Sequence, residues 1–154
     1  MAIRLSDALR NSMLETGSVE AALALGFIII YSGSQPSSAN DAATGTRLAT
    51  IAVSDGAVGL TFDAIATAGT LPKAVAETWS GTAAASGTAG WFRFNELSTD
   101  KTGTESASAT GGTGNAAMDG SIAVSGADLN MSNVAVVVSA IQTITSFNII
   151  MPAA

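Results

Sequence analysis

The chain has 154 residues, of which 47% are hydrophobic and only 12% charged, and its net charge at pH 7 is −6. A chain of this length suits one ordinary domain, which buries ~70% of its unfolded surface. It contains neither cysteine nor histidine, which excludes disulfides, thiolate chemistry and the commonest general base. No cluster of Lys and Arg is present, so a nucleic-acid partner is not expected.

The low charge is itself informative, because Ala, Gly, Ser and Thr take the place of the missing charged residues. Two explanations are open. Neighbouring subunits in an assembly cover much of the surface, or a surface of small neutral side chains is enough for solubility. We favour assembly, since low charge and small side chains suit packed protein surfaces.

The first predicted element is an amphipathic helix over residues 3–14. Leu5, Leu9 and Met13 recur at a spacing of four, which places them on one face. Ser6 is the expected N-cap. We therefore divide the chain into an N-terminal helical arm or lid, residues 1–17, and a single β-sandwich domain, residues 18–154. A lid over the open end of the sandwich is favoured over an arm that docks on a partner.

An apolar run at residues 21–31 follows the helix. It is too short to cross a bilayer, which needs ~20 apolar residues, so no membrane partner is expected. A secretion signal is disfavoured because Asp7, Glu15 and Glu20 precede the run.

The rest of the chain predicts short strands separated by turn-forming residues. In the segment Trp91-Phe92-Arg93-Phe94, the two Phe side chains are expected to face the core. Residues 98–115 are small and polar and predict an exposed loop or hairpin tip. The predicted strands before the last one are 27–31, 46–54, 59–62, 74–79, 90–94, 118–124, 128–131 and 133–138.

The last predicted strand, residues 141–151, alternates with a period of two and is rich in β-branched residues. Its odd-numbered residues are expected to face the core. Its even-numbered face mixes polar residues with Ile144 and Ile150, which suits contact with a neighbouring subunit. These patterns predict an all-β chain, an antiparallel β-sandwich of jelly-roll type with an N-terminal amphipathic helix.

Candidate chemical groups are few. The glycine-rich segment 111–117 lacks the strand before it and the Lys after it that a phosphate loop requires. Asp119, Asp128 and Asn130 are oxygen donors of the type that binds calcium, but the spacing supplies too few of them. We therefore expect no metal and no cofactor.

Catalysis is also not expected. The carboxylates of Asp63, Glu77 and Glu96 are not brought together by any sequence pattern. The many Ser and Thr residues have no histidine to activate them. The sequence therefore predicts no enzyme. Tyr31, Trp79 and Trp91 suit a sugar-binding platform, but core or interface positions are the favoured interpretation.

Several segments resemble a family of small structural proteins encoded by tailed bacteriophages and prophages. The one departure noted is Val138-Ser139-Ala140, where related sequences tend to have a Gly before the final strand. The segments that carry the resemblance are residues 1–14, 30–45, 87–94, 118–121, 127–130 and 145–147.

The resemblance implies a virion component, assembled in the cytoplasm of a host bacterium, whose partners are other virion proteins. With the low charge, it favours a capsid decoration or cement protein that contacts the major capsid protein and copies of itself. The alternatives are a tail, head–tail or baseplate accessory protein, and a receptor- or glycan-binding β module that uses exposed Trp side chains and the 98–115 loop. The candidate interface residues are Met13, Trp79, Trp91, Ile144 and Ile150.

Overall fold

Eleven short strands and two helices make up the part of the chain that the computed structural model describes, residues 3–15, 17–95 and 116–151. The predicted 98–115 loop lies outside the described residues. The elements are β1 (Arg4–Leu5), α1 (Asp7–Glu15), α2 (Val19–Leu23), β2 (Phe27–Ser32), β3 (Arg47–Val53), β4 (Thr70–Pro72), β5 (Trp79–Thr82), β6 (Gly87–Asn95), β7 (Ala117–Ala123), β8 (Leu129–Asn130), β9 (Ala135–Val136), β10 (Ile141–Ile144) and β11 (Asn148–Ile150).

The main sheet has the strand order β1-β7-β6-β2-β3-β5-β10, and every neighbouring pair along it is antiparallel. Two short strands join it from the side: β8 pairs with β7 in parallel, and β9 pairs with β6. A separate sheet contains β11 and β4. The predicted all-β, antiparallel class is confirmed.

Strand β2 lies at the centre of the main sheet and is buried on both faces, as its continuous apolar sequence predicts. Ile28 and Ile30 contribute to the main core on one face. Ile29 and Tyr31 point to the opposite face, where they pack with Trp91 in a second, smaller cluster. The sheet therefore needs a cover on each side.

Five aromatic side chains form the centre of the main core. Phe147 lies 5.6 Å from Phe92, 5.9 Å from Trp79, 6.2 Å from Phe94 and 6.5 Å from Phe62, measured between ring centroids. Because Phe92 and Phe94 alternate with Trp91 and Arg93 along β6, the prediction that the Phe pair faces the main core is confirmed.

The N-terminal helix begins later than predicted. Arg4 and Leu5 form β1, which pairs with β7, so the helix begins at Asp7 rather than at residue 3. Ser6 is the N-cap, as predicted: its Oγ accepts a hydrogen bond from the N–H of Leu9 at 3.1 Å. The same Oγ accepts from the N–H of Ala117 at 2.9 Å, which ties the helix start to β7.

The prediction of one continuous terminal strand is wrong. Residues 145–147 belong to no strand, so the segment forms β10 in the main sheet and β11 in the small sheet. The break shifts the inward-facing positions from even to odd numbers. Ile144 is consequently buried, although its face was expected to be the outer one, and Ile141 is 67% exposed.

Two predictions in the middle of the chain also need correction. Residues 59–62 form isolated bridges, in which Leu60 pairs with Gly26 and Phe62 with Lys73, rather than a strand. The strand predicted at 74–79 begins only at its last residue, where β5 starts. Strand β4 has three residues and a Pro at its end, which is too little pattern to be recognised in the sequence.

Phe147→Ala should lower the free energy of unfolding by about 3–5 kcal/mol, because it removes a ring that packs against four other aromatic side chains. Urea denaturation followed by Trp fluorescence measures this change. The matched control is Ile150→Ala, which alters a 63% exposed side chain and should cost less than about 0.5 kcal/mol. Equal effects of the two substitutions would contradict the assignment of Phe147 to the core.

Candidate functional site

The rear face of the main sheet carries a buried polar and aromatic group, which we call the rear cluster: Tyr31, Trp91, Arg93 and Asp119. Strands β6 and β7 place Arg93 directly opposite Asp119. Arg93 Nε and Nη2 donate to Asp119 Oδ1 and Oδ2, both at 2.7 Å, and both side chains are at most 1% exposed. Burial raises the pKa of the Asp119 carboxyl, and the Arg93 guanidinium opposes this rise.

The connection between β2 and β3, residues 33–46, is attached to the rear cluster. Arg93 Nη1 donates to the carbonyl of Asp41 at 2.9 Å, and Trp91 Nε1 donates to the carbonyl of Thr44 at 3.2 Å. Trp91 stacks on Tyr31 with 4.5 Å between ring centroids. The polar groups of the cluster are thus used to hold a loop against the sheet, and burial leaves them no access to a substrate.

A second polar group surrounds Glu77. Its Oε2 accepts from the N–H of Thr61 at 3.0 Å and from Trp79 Nε1 at 2.8 Å, and its Oε1 accepts from Thr61 Oγ1 at 2.7 Å. Burial alone would raise the pKa of Glu77, but the bonds from Thr61 and Trp79 and the charge of Lys73 outweigh it, so the pKa lies below its usual value. This arrangement stabilises the segment between β4 and β5.

The calcium-type donors are also occupied within the chain. Asp119 bonds to Arg93. Asp128 Oδ2 accepts from the N–H and the Oγ of Ser121 at 2.8 and 2.7 Å, and Asn130 Oδ1 accepts from the N–H of Ala127 at 3.2 Å. In the described ranges, no group of three or more acidic side chains has the arrangement to hold a metal ion.

The other chemical candidates are not brought together. Asp63 Oδ1 accepts from the N–H of Val75 at 3.4 Å, whereas Glu77 binds Thr61 and Trp79. Glu96 lies outside the described residues, as does most of the glycine-rich segment 111–117.

The five candidate interface residues separate into two groups. Trp79 and Trp91 are 0% exposed and Ile144 is 2% exposed, so these three are core residues of this fold rather than exposed anchors. Aromatic and β-branched side chains serve cores and interfaces equally well, which is why the sequence alone misplaces them. Ile150 is 63% exposed, and Met13 is partly buried at the edge of the main core.

Met13 and the end of the chain line the same apolar groove, which has a volume of about 310 Å³. Met13 and Val19 line it from the two helices, Leu71 and Ile149 line it from the small sheet, and Met151 follows directly after β11. The structure thus brings Met13 close to β11, but the predicted interface residue Ile150 lines a different groove, with Ile3, Ala127, Asp128 and Asn148.

A second groove, of about 440 Å³, runs beside β10. Its walls include Val137, Ile141, Gln142 and Thr143. Val137 and Ile141 were not among the predicted interface residues. One feature of the sequence could have indicated an interface in this region: residues 129–154 contain no Lys, Arg, Asp or Glu.

Exposed apolar side chains occur well beyond these grooves. Leu14 and Val75 are the most exposed, at 85% and 83%. The large hydrophobic residues exposed in the described chain are Leu14, Leu25, Val58, Ile65, Val75, Val124, Val137, Val138, Ile141, Ile150 and Met151.

No protein-family model, curated protein or solved structure matches this chain. Among the residues that the structure describes, no helix has both the length and the apolar character needed to span a membrane.

Asp119→Ala should lower the free energy of unfolding by about 3–5 kcal/mol, because Arg93 would remain buried without its partner. The double variant Arg93→Met/Asp119→Leu buries no charge and should lose less than Asp119→Ala alone. Urea denaturation at pH 7 measures both. Glu15→Ala, at an exposed carboxylate, is the control and should change little. A loss below about 1 kcal/mol for Asp119→Ala would contradict the role of the pair.

Glu77→Gln should destabilise the chain more at pH 7 than at pH 3.5. The pKa of Glu77 in the folded chain lies below 4.5, so its ionised form contributes stability above that pH and loses it as the pH falls through the folded value. At pH 7 the loss should be on the order of 2 kcal/mol. Urea denaturation at several pH values measures the loss of stability. The control is Asn148→Ala, which changes an exposed, uncharged side chain. A loss that does not vary with pH would refute the assignment.

Proposed function

We propose that this chain is a non-enzymatic structural protein of a bacteriophage virion, and that it acts as a capsid decoration or cement protein. The observation that carries the proposal is the surface: eleven large hydrophobic side chains are exposed in the described chain, while only 12% of all residues are charged. Such a surface suits a protein that is covered by neighbours.

The interior supports a structural role. Among the described residues, the carboxylates of Asp63, Glu77 and Asp119 all accept hydrogen bonds from within the chain. These contacts fix loops on the sheet. The histidine-free sequence adds no general base of the commonest kind. Rigidity, rather than chemistry, is what this arrangement provides.

The fold that we propose for this role is an antiparallel β-sandwich of jelly-roll type. It is supported by the presence of two sheets and by Phe147, which lies between β10 and β11 and packs on aromatic rings from β5 and β6. A sandwich of this kind offers flat sides for contact with a lattice.

The mechanism would be mechanical. Each copy would bury its exposed apolar side chains against the major capsid protein and against other copies across capsomer boundaries. Each contact would be weak, but the lattice would hold many copies together. Their summed binding energy would help the capsid resist internal pressure. The groove lined by Met13, Leu71 and Met151 is the surface that we assign to the capsid contact.

The sugar-platform alternative loses its structural basis in the described residues. Tyr31, Trp79 and Trp91 are at most 3% exposed, and a platform for sugar stacking needs an accessible ring face.

The test is the copy number in purified particles, measured by quantitative mass spectrometry with the major capsid protein as internal reference. A decoration protein should be present in numbers comparable to the major capsid protein. A count of roughly a dozen copies would contradict decoration and favour a tail, head–tail or baseplate role, because closed rings at such sites hold few subunits. Absence from the particle would contradict both roles.

A further inference from the structure

Strand β10 forms one end of the main sheet, and in the described part of the chain β5 is its sole pairing partner. Its outer edge therefore offers backbone N–H and C=O groups to another strand. Natural proteins commonly block such edges with charged residues, Pro or a bulge. The sequence of β10, Ile-Gln-Thr-Ile, contains no charge or Pro, and its register with β5 has no shift.

The register identifies the free groups. The N–H of Ala83 donates to the carbonyl of Ala140 at 2.9 Å, so residue 140 directs its backbone toward β5. In an antiparallel pair, alternate residues direct their backbone groups to opposite edges. Gln142 and Ile144 therefore bond toward β5, whereas the N–H and C=O groups of Ile141 and Thr143 point to the open edge.

The groove beside β10 follows this edge. Successive side chains of a strand point to opposite faces, so a groove that touches Ile141, Gln142 and Thr143 runs along the edge and not over one face. Val137 also lines the groove. It is 60% exposed and Ile141 is 67% exposed, so an added strand would cover apolar surface as well as bond to the backbone.

Charge favours a second copy of the chain as the occupant. Every charged side chain precedes Leu129, and together they give each copy a net charge of −6. Two copies repel each other through faces that carry acids, but the 129–154 segment, which contains β10, adds no charged side chain that would oppose pairing. A basic partner would find no acidic side chain in the 129–154 segment to attract it.

We propose that two copies of this chain pair through their β10 edges, antiparallel across a two-fold axis at Gln142. This register places Ile141 of one copy opposite Thr143 of the partner subunit, and the reverse. Each outward N–H then meets an outward C=O, so all the free groups of Ile141 and Thr143 are used. The contact is self-complementary, as two-fold symmetry requires. It stands apart from the proposed virion role, since it concerns the free chain.

The first test measures the oligomeric state of the full chain by light scattering and sedimentation over a dilution series. The wild-type chain should dimerise. The double variant Ile141→Lys/Thr143→Lys places like charges opposite each other and should weaken the dimer on the order of 100-fold. The control Leu14→Lys/Val124→Lys adds the same charges at exposed sites in α1 and directly after β7, at the other end of the sheet from β10, and should dimerise nearly as the wild type does.

A wild-type chain that stays monomeric overturns the proposal, and so does a dimer that the Ile141→Lys/Thr143→Lys variant retains. Circular dichroism and thermal unfolding show whether each variant is folded. If the double Lys variant fails to fold, the proposal is tested with the variant Gln142→Cys, which adds no charge.

The second test uses the absence of native cysteines. In the proposed register the two Gln142 residues face each other as a non-hydrogen-bonded pair, whose Cα atoms lie ~4.5 Å apart and within reach of a disulfide. Gln142→Cys should therefore form a disulfide-linked dimer under mild oxidation, while Val124→Cys, at an exposed site directly after β7, should not. Failure of Gln142→Cys to cross-link overturns the register and the proposal. Both tests use the free chain, so their outcome is separate from the copy number in particles.

Discussion

The burial of β2 on both faces is the constraint on which the rest of the structure depends. A central strand with Ile28 and Ile30 on one side and Ile29 and Tyr31 on the other needs two covers. The front cover is the aromatic core with the helices behind it. The rear cover is the 33–46 connection, a loop with few large apolar groups, which is why the rear face relies on directed hydrogen bonds from Trp91 and Arg93.

A buried ion pair is a costly way to close a face, because two charges must leave water. The geometry of Arg93 and Asp119 offsets much of this cost through two parallel bonds and a third from Arg93 to the backbone. The pair contributes specificity of orientation, because a planar guanidinium group meets its partners in one orientation. The loop can therefore attach to the sheet in one position. An apolar contact would allow the loop to slide.

The sequence contained the information for those elements whose pattern is local. The continuous apolar run of β2, the alternation of Phe92 and Phe94, and the cap at Ser6 were all predictable, since each depends on neighbouring residues. The break at residues 145–147 was not, because Thr and Phe favour strands and only the packing of Phe147 in the main core interrupts them. The interior position of Trp91 was equally hidden, since its partners come from distant segments.

Ser6 has a consequence for the order of folding. Its Oγ serves the start of α1 and also the N–H of Ala117, which lies 111 residues further along the chain. Helix α1 thus cannot reach its final contacts until β7 has been synthesised. Bringing together residues so far apart costs conformational entropy, and contacts of this kind slow folding. The hydrogen bond between Ser6 and Ala117 therefore makes the stability of α1 depend on the formation of β7.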